Sequence, residues 1–215
     1  MALPIIVLGG GGHAKVVIAT LLMQGRQMIG YSSLEQNGQP ILGVSRLGGD
    51  EVIFQFGIDE VRLANGIGAV EYSSLRAEIY EQLSGKEYVF EKVIHPSAVV
   101  ASDIQLDDGV QIMARAVVQP GTQIGINSII NTGASIDHDC VVGCHVHIAP
   151  GAILCGKVRI EDGAYIGAGA TIIQGRSVGA RSIVGAGAVV LENVPPNVTV
   201  AGIPARVIKG KVSSN

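Results

Sequence analysis

The chain has 215 residues, 47% of them apolar and 15% charged, and its 15 Lys and Arg against 18 Asp and Glu give a formal net charge of −3. That length buries a core without disulfides or a structural metal, the composition is far from that of a disordered segment, and no apolar run approaches the roughly 18 residues that span a bilayer. The few basic residues form no sequence cluster, so neither nucleic acid nor membrane insertion is expected.

Cys140, Cys144 and Cys155 are odd in number, and no signal-like segment precedes the first apolar run; both point to a reducing cytoplasm. There are 30 glycines, no tryptophan and eight aromatic residues, of which only Tyr165 lies beyond residue 91. A second half built from Val, Ile, Ala and Gly has a core too narrow for rings. The shift near Val93 divides the chain into a first domain at 1–90, a repeat domain at 91–194 and a C-terminal tail at 195–215.

In chain order, residues 4–8 read as a buried parallel strand, followed by Gly9 to Gly12 and an apolar-periodic helix from about His13 to Gln24. A second strand spans 27–31, a helix 50–56 and a third strand 61–64. A helix at 73–84 places Leu75, Ile79 and Leu83 on one face, with Gly85 as its stop. The run Gly9-x-Gly11-x-x-Ala14 matches the fingerprint in which backbone amides at a helix N-terminus approach a pyrophosphate. A βαβαβ arrangement with three strands is one mononucleotide-binding half. A nucleoside diphosphate therefore suits it better than a dinucleotide, and His13 at the loop's end would donate to a phosphate or sugar oxygen.

From Ile94 to Val190 an aliphatic residue stands at seventeen consecutive positions spaced six residues apart. Four residues after each, the side chain is usually small or β-branched, as at Ala116, Ala134, Cys140, Ala152 and Ala170, and glycine often follows the aliphatic position, as at Gly125, Gly143, Gly167, Gly179 and Gly185. Neither a helix nor a simple strand has this period, whereas short strands meeting at glycine corners do. The pattern resembles the left-handed parallel β-helix of the hexapeptide-repeat acyltransferases, with three hexapeptides per triangular coil. Just under six coils, stacked at about 4.8 Å, make a prism on the order of 25–30 Å tall.

Residues 131–156 hold three of the five histidines. His138 and His147 are placed on the outside of the prism, and Asp137-His138-Asp139 sets an imidazole between two carboxylates, an arrangement that fixes a tautomer and strengthens a base. One coil later Gly156 falls under His138, where its N–H would meet a thioester carbonyl. Pro150, Ala168 and Ala186 stack into a column whose small side chains leave a groove. A zinc site on His138, His145 and His147 is a weaker reading because the spacing is a poor match to known three-histidine sites, and no metal is expected. Cys140 occupies an inward position and reads as inert.

The segments VLGGGGHAKVV, LGGDE, LANGIG, VIHPSAVVA, NTGASIDHDC, HVHIAPGA and VAGIPARVI together resemble bacterial sugar acetyltransferases that join a small Rossmann-like domain to a left-handed β-helix. These are the UDP-4-amino-sugar N-acetyltransferases and their sialic acid O-acetyltransferase relatives. The resemblance implies acetyl-CoA as co-substrate, a UDP-linked 4-amino-trideoxy sugar as acceptor, and a homotrimer with active sites between subunits. It further implies His138 as catalytic base supported by Asp139, and His147, Gly156, Ala168 and Ala186 at the cofactor. Gly11, Gly12, His13 and Gly68 would form the nucleotide-sugar pocket, while Ser32 and Ser33 replace acidic residues that commonly hold the nucleotide. O-acetylation of a sialic-acid-type sugar and a non-catalytic, nucleotide-sugar-binding trimeric scaffold stand as alternatives.

Overall fold

The computed structural model describes residues 2–35, 38–68 and 74–210. The chain forms two compact units, Met1–Pro96 and Ser97–Asn215.

In the first unit, strands β1 (Ile5–Leu8), β2 (Met28–Ser32), β3 (Arg46–Gly48) and β4 (Arg62–Asn65) form a parallel sheet in the order β3-β2-β1-β4. All four residues of β1 are fully buried, as a central parallel strand requires. Helix α1 (Gly12–Met23) packs through Ala14, Val17, Ile18 and Leu21, an i, i+3, i+4, i+7 stripe. Three details depart from the sequence expectation. Arg46–Gly48 adds a fourth strand, paired with Tyr31 and Ser32, too short and polar to show alternation. Asp50–Gln55 is a 3₁₀ rather than an α-helix. Helix α2 (Leu75–Ser84) buries Arg76, Tyr80 and Leu83 while Leu75 is half exposed, because Tyr80 packs on Phe90 at 4.3 Å between ring centroids and Arg76 bonds to the end of β4. The expected helix start at Ser73 lies outside the described residues.

The second unit is a parallel β-solenoid. Each member of the aliphatic series from Ile112 to Val190 is at most 2% exposed. Residues 18 apart pair in register, as in Ile112, Ile130, Ile148, Ile166 and Val184 on one face and Val118, Ile136, Leu154, Ile172 and Val190 on another. The three faces stack five, six and eight strands, the six-stranded one carrying Ile136.

The corner chemistry differs from expectation. From Leu106 to Val184, positive φ recurs three residues after each aliphatic position, at Gly121, Asn127, Gly133, Asp139, His145 and Gly151 among others, and not at the glycines that directly follow it. Those glycines serve coil stacking instead: a Cβ on Gly125 would stand 2.7 Å from the Gly143 carbonyl carbon, and one on Gly167 2.5 Å from the Ala186 nitrogen.

The segment beginning at 195, expected as a tail, contributes two strands. Thr199–Ala201 pairs with Ile183 and Val184, and Arg206–Lys209 returns antiparallel against it. The last pairing joins Ile183 to Thr199, a spacing of 16 residues, which breaks the six-residue beat and hid these strands from a periodicity reading.

Candidate active site

The turn that carries His138 is fixed by backbone bonds to the coils on either side. The Asp139 N–H donates to the Pro120 carbonyl at 3.0 Å, and the His138 carbonyl accepts from the Lys157 N–H at 2.9 Å. Asp139 takes the left-handed φ of 58° that this corner demands, a conformation that aspartate tolerates better than most residues. Its Oδ2 lies 2.9 Å from His138 Nδ1. A carboxylate only accepts, so Nδ1 carries the proton and the lone pair of the neutral ring sits on Nε2. Both side chains are about half exposed, at 47% and 56%.

Asp137, expected as a second carboxylate on the imidazole, instead accepts the His138 backbone N–H at 2.8 Å. One carboxylate thus orients the ring and the other orients the turn. The stacking of Gly156 on His138 holds: a Cβ on Gly156 would stand 2.6 Å from His138 Nε2, so only glycine leaves the ring its position.

Pro150, Ala168 and Ala186 do form a column, with Gly169 N–H donating to the Pro150 carbonyl and Gly187 N–H to that of Ala168. Ala168 and Ala186 are exposed. Their column runs along a different edge of the prism from His138 and Gly156, since six-residue steps separate corners and 18-residue steps stack them. Within one subunit the two sets are not brought together.

His147, read as an outward residue, is 7% exposed. Its ring stacks at 5.0 Å on Tyr165, and Nε2 lies 3.3 Å from Asn131 Nδ2. An outward position on a β-helix is therefore not an exposed one here. His145 contacts Asn127 Nδ2 at 3.0 Å rather than the other histidines, and no group of three His, Cys, Asp or Glu suited to a metal occurs among the described residues. Cys140 is buried, donates to the Cys155 carbonyl at 3.2 Å, and burial pushes its thiol up to about 11.

In the first unit, Gly11 caps α1 without a side-chain hydrogen bond, and neither Gly11 nor Gly12 has any atom within 4 Å of an added Cβ. Side-chain space at both glycines is therefore open, at the carboxyl end of β1, next to the switch point where β2 and β4 flank it. Gly68 lies against His13, 3.3 Å from its Cβ to an added Cβ. Beside the loop is a cavity of about 540 Å³ lined by Gly10, Lys15, Tyr31, Ser33, Glu35 and the segment 38–42.

Ser32 is not part of that cavity lining: it is fully buried and donates to Asp50 Oδ1 at 2.6 Å. Ser33 does line it, with its hydroxyl accepting from the Glu35 N–H and its carbonyl from Arg46 Nε and Nη2 at 3.0 and 2.7 Å. The sequence reading missed Lys15, Tyr31 and Glu35. Lys15 stands three residues into the helix after Gly12, where a cation beside a phosphate loop was the available signal.

Comparison with known proteins agrees with this architecture. Residues 4–83 match the PglD N-terminal domain and residues 139–174 the bacterial transferase hexapeptide (six repeats). Over 97% of both chains it is similar, at 35% identity and a TM-score of 0.90, to a histidine-to-asparagine mutant of perosamine N-acetyltransferase from Caulobacter crescentus in complex with CoA and GDP-perosamine. The acetyltransferase domain of PglB from Neisseria gonorrhoeae, in complex with acetyl coenzyme A, is 33% identical over 95% of this chain and 98% of its own, with a TM-score of 0.87. WeeI from Acinetobacter baumannii is 27% identical over 96% of this chain, with a TM-score of 0.78. A serine acetyltransferase from Buchnera aphidicola is 59% identical over 32 residues, and the match spans 12% of that protein. The chain belongs to the hexapeptide-repeat acetyltransferases that carry a PglD N-terminal domain.

Proposed function

We propose that this protein transfers the acetyl group of acetyl-CoA to the 4-amine of a nucleoside-diphosphate-linked 4-amino-deoxy sugar, with His138 as general base. The observation that carries the reading is the His138 to Asp139 contact of 2.9 Å at an open corner, with Nε2 held over Gly156. Asp139 holds the Nδ1–H tautomer, so Nε2 is the free base. As the neutral amine attacks the thioester carbon, its proton passes to Nε2. The C–S bond then breaks, and the imidazolium returns that proton to the leaving thiolate. No covalent enzyme intermediate is required, so the kinetics are sequential and no acetylated cysteine accumulates.

The glycine loop, His13 and Gly68 fit the diphosphate and sugar, and the cavity beside Gly10 fits the nucleobase. A UDP-linked 4-amino-trideoxy sugar is the acceptor that the sequence motifs suggest. A GDP-linked one is favoured by Glu35 at the cavity, because a carboxylate accepts from both N1–H and N2–H of guanine, and by the GDP-perosamine held by the Caulobacter relative.

His147, Gly156, Ala168 and Ala186 are assigned to acetyl-CoA. Because the Ala168 column and His138 lie on different edges, the site is completed by a neighbouring copy, and a closed trimer joins one edge of each subunit to the other edge of the next. The assay is thiol release from acetyl-CoA in the presence of UDP- and GDP-linked 4-amino sugars. Release with such sugars, with the acetyl on nitrogen, supports the assignment. O-acetylation of a free sialic-acid-type sugar, or acceptor binding without turnover, replaces it with one of the two alternatives.

A further inference from the structure

Position 176 breaks the rule of its own repeat. It stands four residues after Ile172, at an inward corner position that other coils fill with Ala116, Ala134, Cys140, Ala152 or Ser182, yet here it is arginine. Its backbone is in register: the Arg176 carbonyl accepts from the Arg159 N–H at 2.9 Å, as the Val158 carbonyl does from Val141 at 3.0 Å. Its Nε is buried and has no hydrogen-bond partner, while the residue as a whole is half-buried. A guanidinium stem in a narrow apolar corner, with a covered and unanswered donor, is costly unless the head finds an anion.

The column places it. Cys140, Val158 and Arg176 lie one below another, so Arg176 sits two coils, about 10 Å, beyond the His138 turn. The pantetheine arm between the sulfur and the first phosphate of CoA has about as many chain atoms as four residues, roughly 14 Å when extended. Two coils plus the reach of an arginine side chain match that length. Lys157, one coil away, and Arg159 are exposed on the same stretch. The direction follows from charge. Residues 97–156 of the solenoid carry five acids and one base, whereas 157–210 carry six bases and three acids.

Resting on the reading that the thioester is attacked at His138, we infer that Arg176 is the phosphate anchor of acetyl-CoA, holding the diphosphate end toward the C-terminal coils with Lys157 and Arg159 beside it. An arginine suits this task because its planar donor fork meets phosphate oxygens in pairs.

The test compares CoA with pantetheine, which has the same arm and no phosphate, by calorimetric Kd on wild type and on Arg176→Met. The expected result is a Kd for CoA weakened about tenfold and a Kd for pantetheine unchanged. Arg176→Lys should recover part of the loss, and the salt dependence of CoA binding should be smaller in Arg176→Met than in wild type. Equal weakening for both ligands, or no weakening for either, overturns the anchor. Lys157→Gln, an exposed change, keeps the test open if Arg176→Met does not fold: it should weaken CoA about threefold and spare pantetheine, and equal effects again overturn the inference. Binding is read without turnover, so a protein that binds CoA through Arg176 but transfers no acetyl group contradicts the His138 reading alone.

Discussion

Nε2 of His138 occupies the space that a side chain on Gly156 would take, 2.6 Å from the ideal Cβ position. The atom in the way is the far end of a side chain that can swing, so Gly156→Ala should displace the ring and leave the fold intact. The expected outcome is a kcat at least about tenfold lower with a melting temperature within about 2 °C of wild type. Steady-state kinetics beside a thermal melt check it, and unchanged kcat would show that the ring's place above Gly156 does not matter.

His138→Ala should lower kcat by about 10²–10⁴ while changing KM for acetyl-CoA little, because a general base acts in the transition state. Asp139→Asn should cost less, since the ring remains but its tautomer is no longer held. Wild-type kcat in both variants would move the base elsewhere, with His147 the next residue to test.

The solenoid was legible because burial falls at fixed places in every six residues, and a core that narrow leaves no freedom of choice at the aliphatic positions from Ile112 to Val190. The His138, Asp139 and Gly156 relation was legible for the same reason: the coil length fixes which residues stack. Periodicity gives phase and not coverage, which is why His147, read as an outside residue, is instead covered and lies against Tyr165. It also fails where the period changes, at the pairing of Ile183 with Thr199. In the first unit, Ser32 could not be separated from Ser33 without knowing that Asp50 returns beneath the sheet to accept its hydroxyl. Arg76, outside the Leu75, Ile79 and Leu83 stripe read from the sequence, is buried and donates to the Asn65 and Ile67 carbonyls, both at 2.8 Å.

Gly11→Val is expected to raise KM for the nucleotide sugar about tenfold and to spare both KM for acetyl-CoA and stability. No atom lies within 4 Å of an added Cβ there, so the fold accepts the side chain while a phosphate approaching the α1 amides does not. Equal KM values for the sugar would remove the glycine loop from the acceptor site.

Cys140 gives a pH signature. Burial holds its thiol protonated up to about 11, against 9.0 in an unfolded chain. The folded state therefore binds the extra proton between those values, and the associated stability is present below pH 9 and lost as pH rises toward 11. Urea midpoints should fall more steeply over this range in wild type than in Cys140→Val. Parallel slopes would contradict the assignment.

Two inactive variants test the shared site. If the His138 edge of one subunit works with the Ala168 edge of the next, then His138→Ala mixed with Ala168→Trp should regain activity in about a quarter of the sites after subunit exchange. Recovery shows sites between subunits. No recovery, with a monomer by light scattering and full wild-type activity, would show that each chain acts alone.

The most direct test of the central claim is acetyl transfer itself: purified protein, acetyl-CoA, and a panel of UDP- and GDP-linked 4-amino-deoxy sugars, followed by thiol release and by mass spectrometry of the product. The account predicts thiol release that depends on the nucleotide-linked amine, one acetyl group on nitrogen, and loss of both signals in His138→Ala. Thiol release with free sialic-acid-type sugars only, bearing the acetyl on oxygen, or no release with any nucleotide amino sugar would contradict it.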